Sequence, residues 1–143
     1  FQLKNFQMKI KLNCILLVDD DNDCNFFHKK LLQEMNCANS IQVATNGAEA
    51  LEYLKTCNER NIPDIILLDI NMPKVNGWEF LEAYEKLPDQ LKAKIVLIML
   101  TTSLNPDDRA RAAMFACVKG FKEKYLDEDM VSKILKEYFA DHF

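Results

Sequence analysis

The sequence predicts an α/β fold, a three-layer arrangement in which a parallel five-stranded sheet lies between two layers of helices. Short, continuously apolar runs of strand length alternate along the chain with segments whose apolar residues recur at helical spacing. This alternation repeats five times and uses almost the whole chain. Successive strand–helix–strand units favour a doubly wound parallel sheet with helices on both faces.

Five segments have strand character. A run that is apolar throughout suits a strand buried on both faces of a sheet, and Cys14–Val18 and Ile65–Leu68 are of this kind. The fifth segment is more polar than the others. The predicted strands are Asn13–Val18, Ile41–Ala44, Asp64–Asp69, Lys94–Thr101 and Lys119–Lys122.

Each strand is followed by a segment of helical periodicity. The clearest helix start is at Asn105, where an Asn cap precedes Pro106 and two acidic residues. Gly77 precedes the third helix and is interpreted as a turn residue, because glycine tolerates positive φ. The predicted helices are Asn22–Met35, Ala48–Cys57, Trp78–Leu87, one from Asn105 through Met114 and one from Asp127 through Tyr138.

The composition fits one domain of ordinary size. The chain has 143 residues, of which 49% are hydrophobic and 28% charged. No apolar run approaches the roughly 18 residues that span a bilayer. The net charge of −4 comes without a basic patch, so neither a membrane nor a nucleic acid is an expected partner. We expect residues 13–143 to form the domain and residues 1–12 an N-terminal extension of unknown role.

The cysteines indicate a reducing compartment. There are five, an odd number, and they form no CxxC pair and no zinc spacing. Free thiols of this kind are typical of cytoplasmic proteins. The sequence therefore predicts a cytoplasmic location.

Polar side chains follow the ends of four predicted strands. Asp19 and Asp20 follow the first strand, whereas Asp69 and Thr101 end the third and the fourth. Lys124 lies just past the fifth. In a parallel α/β sheet the carboxyl ends of the strands meet at one edge, so we expect these side chains to lie close together.

This set of side chains favours phosphoryl chemistry. Carboxylates from neighbouring strands repel one another unless a cation lies between them. Oxygen ligands suit Mg²⁺, with Mn²⁺ as the alternative, and Mg²⁺ also binds phosphate oxygens. One carboxylate can attack a phosphoryl group, while the metal, a lysine and a hydroxyl neutralise the transferred oxygens.

Four motifs resemble those of two-component response regulator receiver domains, including the stand-alone chemotaxis regulators. The strand Ile15–Val18 with its acidic pair is similar to the opening of that family. The segment Asp64–Pro73 followed by Asn76-Gly77 resembles the phosphoacceptor strand and loop of the family. Met99–Thr102 resembles the segment that carries its switch hydroxyl, and Gly120–Lys124 resembles its lysine motif. The likeness covers about Asn13 to Phe139. It implies a flavodoxin-like fold with strand order 2-1-3-4-5.

The resemblance implies roles for the site residues. Asp69 would be the phosphoacceptor. Asp20 and Asp69 would bind Mg²⁺ together with the backbone carbonyl of Asn71, and Asp19 would act largely through water. Lys124 would pair with the phosphoryl group.

The resemblance also implies a switch. Thr101 would turn toward the phosphoryl group and Phe121 would change rotamer. The face made by the fourth predicted helix, the fifth strand and the last helix would then be reshaped. Asn71 and Ser103 occupy the positions at which the family tunes the rate of phosphate loss.

The implied function is a phosphorelay switch and not an enzyme with a separate substrate. The phosphoryl donor would be a sensor histidine kinase or a histidine phosphotransfer protein, and the downstream target is a protein that the sequence does not name. The chain is expected to be a monomer or a weak homodimer and to carry no output module. A fragment of a hybrid kinase stays an alternative.

One departure from the family motivates a second hypothesis. The family usually follows its lysine with proline, often through a cis bond, whereas Tyr125 follows Lys124 here. A cis bond before another residue costs roughly 2.5–4 kcal/mol, so the sequence leaves the geometry of this loop open. The alternative function is a pseudo-receiver, an interaction module that takes no phosphate.

Two other uses of the acidic run are excluded by spacing. An EF-hand loop beginning at Asp19 needs Gly at its sixth position and Glu at its twelfth. The chain has Cys24 and Lys30 there. By resemblance, a phosphatase with an Asp nucleophile would carry the motif DxDx followed by Thr or Val at the fifth position. In this chain Asp23 occupies the fifth position.

Overall fold

The computed structural model describes residues 6–70, 72, 76–102 and 105–143, and it shows one parallel sheet between two layers of helices. The strands lie in the order β2–β1–β3–β4–β5, and all neighbouring pairs are parallel. The predicted fold class and strand order are confirmed. The strands are β1 (Leu12–Val18), β2 (Ala38–Ala44), β3 (Ile65–Asp69), β4 (Val96–Thr101) and β5 (Val118–Glu123).

The central strands are buried on both faces. In β1, Leu16 and Val18 join the core on one side of the sheet, whereas Ile15 and Leu17 join the core on the other. The residues of β3 divide in the same way. Burial of each large aliphatic side chain contributes roughly 1.5–3 kcal/mol. The ends of β1 and β3 are therefore firmly held.

Side-chain caps define where most helices begin. Asp21, Asn46, Asn76, Asn105 and Asp127 each accept a hydrogen bond from a backbone N–H in the first turn of the helix that follows. Such caps typically contribute about 1 kcal/mol each. The helices are α1 (Asn22–Met35), α2 (Gly47–Thr56), α3 (Gly77–Glu85), α4 (Asp89–Lys92), α5 (Pro106–Ala113) and α6 (Glu128–Tyr138), followed by a 3₁₀ turn (Ala140–His142).

Two elements differ from the sequence prediction by more than two residues. β2 begins at Ala38, three residues before the predicted start at Ile41. Its first residues pair with β1 from the edge of the sheet, where polar side chains can face solvent. The short helix α4 was not predicted. The Pro88 carbonyl accepts from the N–H groups of Leu91 (3.1 Å) and Lys92 (3.2 Å), so a new helical turn starts where the third predicted helix stops.

Residues of the N-terminal extension pack on the C-terminus. The carbonyl of His142 accepts from the N–H groups of Lys9 (2.7 Å) and Ile10 (3.1 Å). The rings of Phe6 and Phe143 meet edge to face, with centroids 5.7 Å apart. Residues 6–11 thus contribute contacts to the core on the α6 side of the sheet.

Gly77 is required for a close backbone approach, so its interpretation as a positive-φ turn residue was wrong: no glycine in the described ranges has positive φ. A Cβ at this position would lie 2.7 Å from the Cα of Ile70 and 3.0 Å from the carbonyl oxygen of Asp69. Gly77→Ala must displace backbone, and we expect it to lower the free energy of unfolding by about 1–3 kcal/mol in urea denaturation.

Gly120→Ala is the matched control for this prediction. Its Cβ would meet the side-chain end of Ile98 at 2.8 Å and the Tyr138 hydroxyl at 3.1 Å, and both contacts are with side chains and not with backbone. We expect a smaller loss of stability than for Gly77→Ala. Equal losses for the two substitutions would contradict the argument from backbone contact.

Candidate functional site

Asp19 is fixed at the end of β1 by its own hydrogen bonds. Its N–H donates to the carbonyl of Ala44 at 3.1 Å, and its carbonyl accepts from the Asn25 amide at 2.8 Å. Its carboxylate accepts from the N–H of Asp21 at 2.9 Å. Asp19 is only 5% exposed, whereas the neighbouring Asp20 is exposed. The first strand therefore presents one buried and one open carboxylate.

Asp69 ends β3 beside these two acids and is 6% exposed. It lies opposite Leu100 in the parallel pairing with β4, and the N–H of Ile70 donates to the Leu100 carbonyl at 3.3 Å. Single carboxylate oxygens of Asp19, Asp20 and Asp69 lie within 4.8 Å of one another. The structure thus brings together the three carboxylates that sequence reasoning had placed at one edge.

Lys124 enters this cluster from the loop after β5. Its ammonium lies 2.6 Å from Asp19 Oδ2 and 3.8 Å from Asp69 Oδ2, and its side chain is 7% exposed. Burial alone would lower the pKa of Lys124, but the hydrogen bond to Asp19 and the charges of Asp69 and Asp19 outweigh burial and raise the pKa. The lysine is therefore charged at neutral pH.

The loop that carries Lys124 is anchored to β4. The N–H of Lys124 donates to the carbonyl of Thr101 at 2.7 Å. The peptide bond between Lys124 and Tyr125 is cis, the geometry that the sequence had left open. Thr101 is buried at the last position of β4, one residue beyond the pairing partner of Asp69.

The charges of the cluster suit a divalent cation. Three carboxylates face one lysine, so the residues by themselves carry an excess of negative charge. Hard oxygen ligands of this kind match Mg²⁺ or Mn²⁺. The geometry therefore allows Asp19, Asp20 and Asp69 to hold such an ion. The predicted carbonyl ligand and tuning position Asn71, and the tuning position Ser103, lie outside the described residues.

Phe121 lies on β5 opposite Met99 and is half-buried. The guanidinium of Arg109, on α5, lies 5.4 Å from the centre of its ring. A cation over an aromatic face is attracted by roughly 0.5–1 kcal/mol at an exposed position. The ring predicted to act in a switch is thus covered from the neighbouring helix.

His28 belongs to none of the sequence motifs, but the structure gives it a partner. Its Nε2 accepts from the backbone N–H of Leu126 at 3.1 Å. Cys24 lies one turn earlier on α1, with its Sγ 3.6 Å from His28 Nδ1. The four-residue spacing signals a shared helix face. Burial, reinforced by the charge of Asp19, raises the pKa of Cys24 to about 12, so its thiol stays protonated.

The fold and the site together define a class of protein. A doubly wound sheet of order 2-1-3-4-5 with acids after β1 and β3 and a lysine after β5 is the arrangement of signalling receiver domains. The chain belongs to the response regulator receiver domain family, whose model matches residues 15–136. Members of the family are parts of two-component systems, generally act as switches, take phosphate from histidine kinases and bind Mg²⁺ at an acidic pocket.

Known relatives share this fold. The chain is 34% identical over 100 residues to the "Probable methanogenesis regulatory protein FilR2" of Methanothrix harundinacea, covering 68% of this chain and 63% of that protein. It therefore spans less than two thirds of that relative. A two-component response regulator from Cytophaga hutchinsonii superposes with a TM-score of 0.83 at 29% identity, over 92% of this chain and 99% of that one.

A second solved structure is that of a phosphorylated protein. The cyanobacterial phytochrome response regulator RcpA matches with a TM-score of 0.75 at 27% identity, over 92% of this chain and 97% of that one. Throughout the described ranges, the helices fall short of the length and apolar character that crossing a membrane requires.

Proposed function

We propose that the chain is a phosphorelay switch in which Asp69 takes a phosphoryl group from a phosphohistidine. The donor would be a sensor histidine kinase or a histidine phosphotransfer protein. One observation carries the proposal: three carboxylates from two strands lie within 4.8 Å of one another while Lys124 lies against two of them. The phosphorylated state of the relative RcpA supports it.

In the proposed step, a carboxylate oxygen of Asp69 forms a bond to phosphorus while the phosphorus–nitrogen bond of the donor breaks. The imidazole of the donor leaves with the electron pair. Asp20, Asp69 and the backbone carbonyl of Asn71 would hold Mg²⁺ or Mn²⁺, with Asp19 acting through water. The bound metal would neutralise charge on the transferred oxygens.

Lys124 and Thr101 have separate tasks in this proposal. The Lys124 ammonium, 3.8 Å from Asp69 Oδ2, is close enough to pair with an oxygen of the new phosphoryl group. Preorganised charge of this kind acts without reorganisation during the reaction. Thr101 would turn toward the phosphoryl group, and Ser103 and Asn71 would tune its loss.

The output of the switch would be a change of the face made by α5, β5 and α6. Movement of Thr101 affects the backbone that binds the N–H of Lys124. Phe121 would then change rotamer, which requires separation of its ring from Arg109. The charge added at Asp69 would thus alter the face to which a protein target binds. The chain would assist its own phosphorylation and dephosphorylation and turn over no separate substrate.

We further propose that residues 13–143 form the receiver unit, as a monomer or weak homodimer in the cytoplasm. The five free cysteines support the last point, since such thiols are typical of a reducing compartment. The alternative function, a pseudo-receiver that binds partners without phosphate, is motivated by Tyr125. Its ring is exposed and lies 5.6 Å from the Lys124 ammonium.

The intact mass of the chain after incubation with acetyl phosphate tests the proposal. With Mg²⁺ we expect a gain of one phosphoryl group, and with a chelator none. A chain that gains no phosphoryl group and also fails to bind beryllofluoride, a phosphoryl mimic, is a pseudo-receiver.

Removal of the exposed carboxylate is expected to weaken metal binding. Asp20→Asn takes one of three charges from the cluster, and we expect its Mg²⁺ affinity, measured by calorimetry, to fall roughly tenfold, or about 1.4 kcal/mol. Asp23→Asn is the control, since Asp23 is an exposed acid in the first turn of α1 outside the cluster. Equal losses for the two variants would show that only general charge matters.

A further inference from the structure

His28 joins two parts of the chain that lie 98 residues apart. Its ring is buried, with 4% exposed, between α1 and the loop that follows β5. Burial lowers the pKa of His28, the charge of Lys124 acts in the same direction, and the charge of Asp19 opposes both. A neutral imidazole accepts at one nitrogen only. Here that nitrogen is Nε2, so the proton lies on Nδ1, next to Cys24 Sγ.

Among the described residues, two backbone N–H groups on either side of Tyr125 donate hydrogen bonds to other elements, and His28 accepts one of them. On one side of Tyr125, the N–H of Lys124 donates to the Thr101 carbonyl at 2.7 Å. On the other side, the N–H of Leu126 donates to His28 Nε2 at 3.1 Å. The two anchors belong to different elements, β4 and α1. Together they fix the backbone from which the Lys124 side chain reaches Asp19.

We propose that His28 is a positioning residue for Lys124. By accepting the hydrogen bond from Leu126, it sets the backbone position that places the ammonium against Asp19 and Asp69. The inference rests on the proposed phosphoryl transfer to Asp69. Without His28, the buried N–H of Leu126 loses its partner, which is unfavourable unless the loop moves to find another.

A small movement of this loop has a large consequence. The Lys124 ammonium is 2.6 Å from one carboxylate oxygen and 3.8 Å from another, so a shift of about 1 Å alters both interactions. A misplacement of about 1 Å near the reacting groups can slow a reaction by up to about 100-fold. His28→Leu, which fills similar space without an acceptor, should therefore slow phosphorylation of the full chain by acetyl phosphate roughly tenfold.

Three comparisons separate positioning from general destabilisation. In His28→Gln, the side-chain oxygen can take the place of Nε2, and this variant should recover most of the wild-type rate. In a Lys124→Met background, His28→Leu should cause no further loss, because the group it positions has been removed. Met35→Ala loosens the packing of α1 two turns beyond His28 and away from Leu126, so it should lower stability and leave the rate unchanged.

The outcomes are distinct. A wild-type rate for His28→Leu, no recovery in His28→Gln, or a tenfold loss that persists in the Lys124→Met background would overturn the inference while leaving the proposed function intact. If His28→Leu does not fold, His28→Met takes its place in the same comparisons. A wild-type chain that takes no phosphoryl group would instead remove the proposed function.

Discussion

Replacement of Asp69 by asparagine is expected to abolish phosphoryl transfer to the chain. An amide of nearly the same shape fits the same space but is far too weak a nucleophile to attack phosphorus. The intact mass after incubation with acetyl phosphate and Mg²⁺ should show no added phosphoryl group. In the absence of metal we expect no loss of stability in urea, because relief of the repulsion among three crowded carboxylates offsets loss of the Asp69–Lys124 ion pair.

Asp21→Asn is the matched control for this result. Asp21 belongs to the same acidic run as Asp19, but its carboxylate caps α1 by accepting from the N–H groups of Asp23 and Cys24. Asparagine caps helices about as well as aspartate, so this variant should be phosphorylated like wild type. A metal-dependent phosphoryl group on Asp69→Asn would contradict the assignment of the phosphoacceptor.

Lys124→Met is expected to separate metal binding from phosphoryl transfer. Methionine fills much of the space of the lysine stem but supplies no charge to the transferred oxygens. Loss of one such preorganised group typically slows the chemical step by about 10²–10³-fold. Mg²⁺ affinity should not decrease, because the substitution removes a positive charge that lies against Asp19 and Asp69. Phosphorylation kinetics and calorimetry measure the two effects separately.

Lys119→Met controls for the loss of a nearby lysine. Lys119 is exposed on β5, the strand before the Lys124 loop, and its ammonium donates to the carbonyl of Ala116. We expect neither the phosphorylation rate nor the Mg²⁺ affinity to change. A large loss of Mg²⁺ affinity in Lys124→Met would show that the lysine organises the metal ligands and does not act on the phosphoryl group.

The fold could be predicted because burial leaves a plain pattern. Strands covered on both faces carry continuously apolar runs, here Cys14–Val18 in β1 and Ile65–Leu68 in β3, and such runs are visible without a structure. The requirement at Gly77 was misread, since the crowding comes from Ile70 across a loop and not from its own φ angle. Contacts of this kind depend on tertiary structure.

The site was predictable in part for a related reason. The sheet topology alone brings Asp19, Asp69 and Lys124 to one edge, so their positions at strand ends were sufficient. No pattern in the sequence indicates the hydrogen bond from Leu126 to His28, because it joins a backbone N–H to a side chain 98 residues away. The cis bond before Tyr125 was likewise beyond the reach of sequence, because trans is the rule before any residue other than proline.

Chemical trapping of the modified residue tests the central claim most directly. An acyl phosphate on an aspartate is reduced by borohydride to homoserine, which peptide mass spectrometry can place in the sequence. After incubation of the wild-type chain with acetyl phosphate and Mg²⁺, we predict homoserine at residue 69. Homoserine at residue 19 or 20, or none at any aspartate of a chain that has gained a phosphoryl group, would contradict the account.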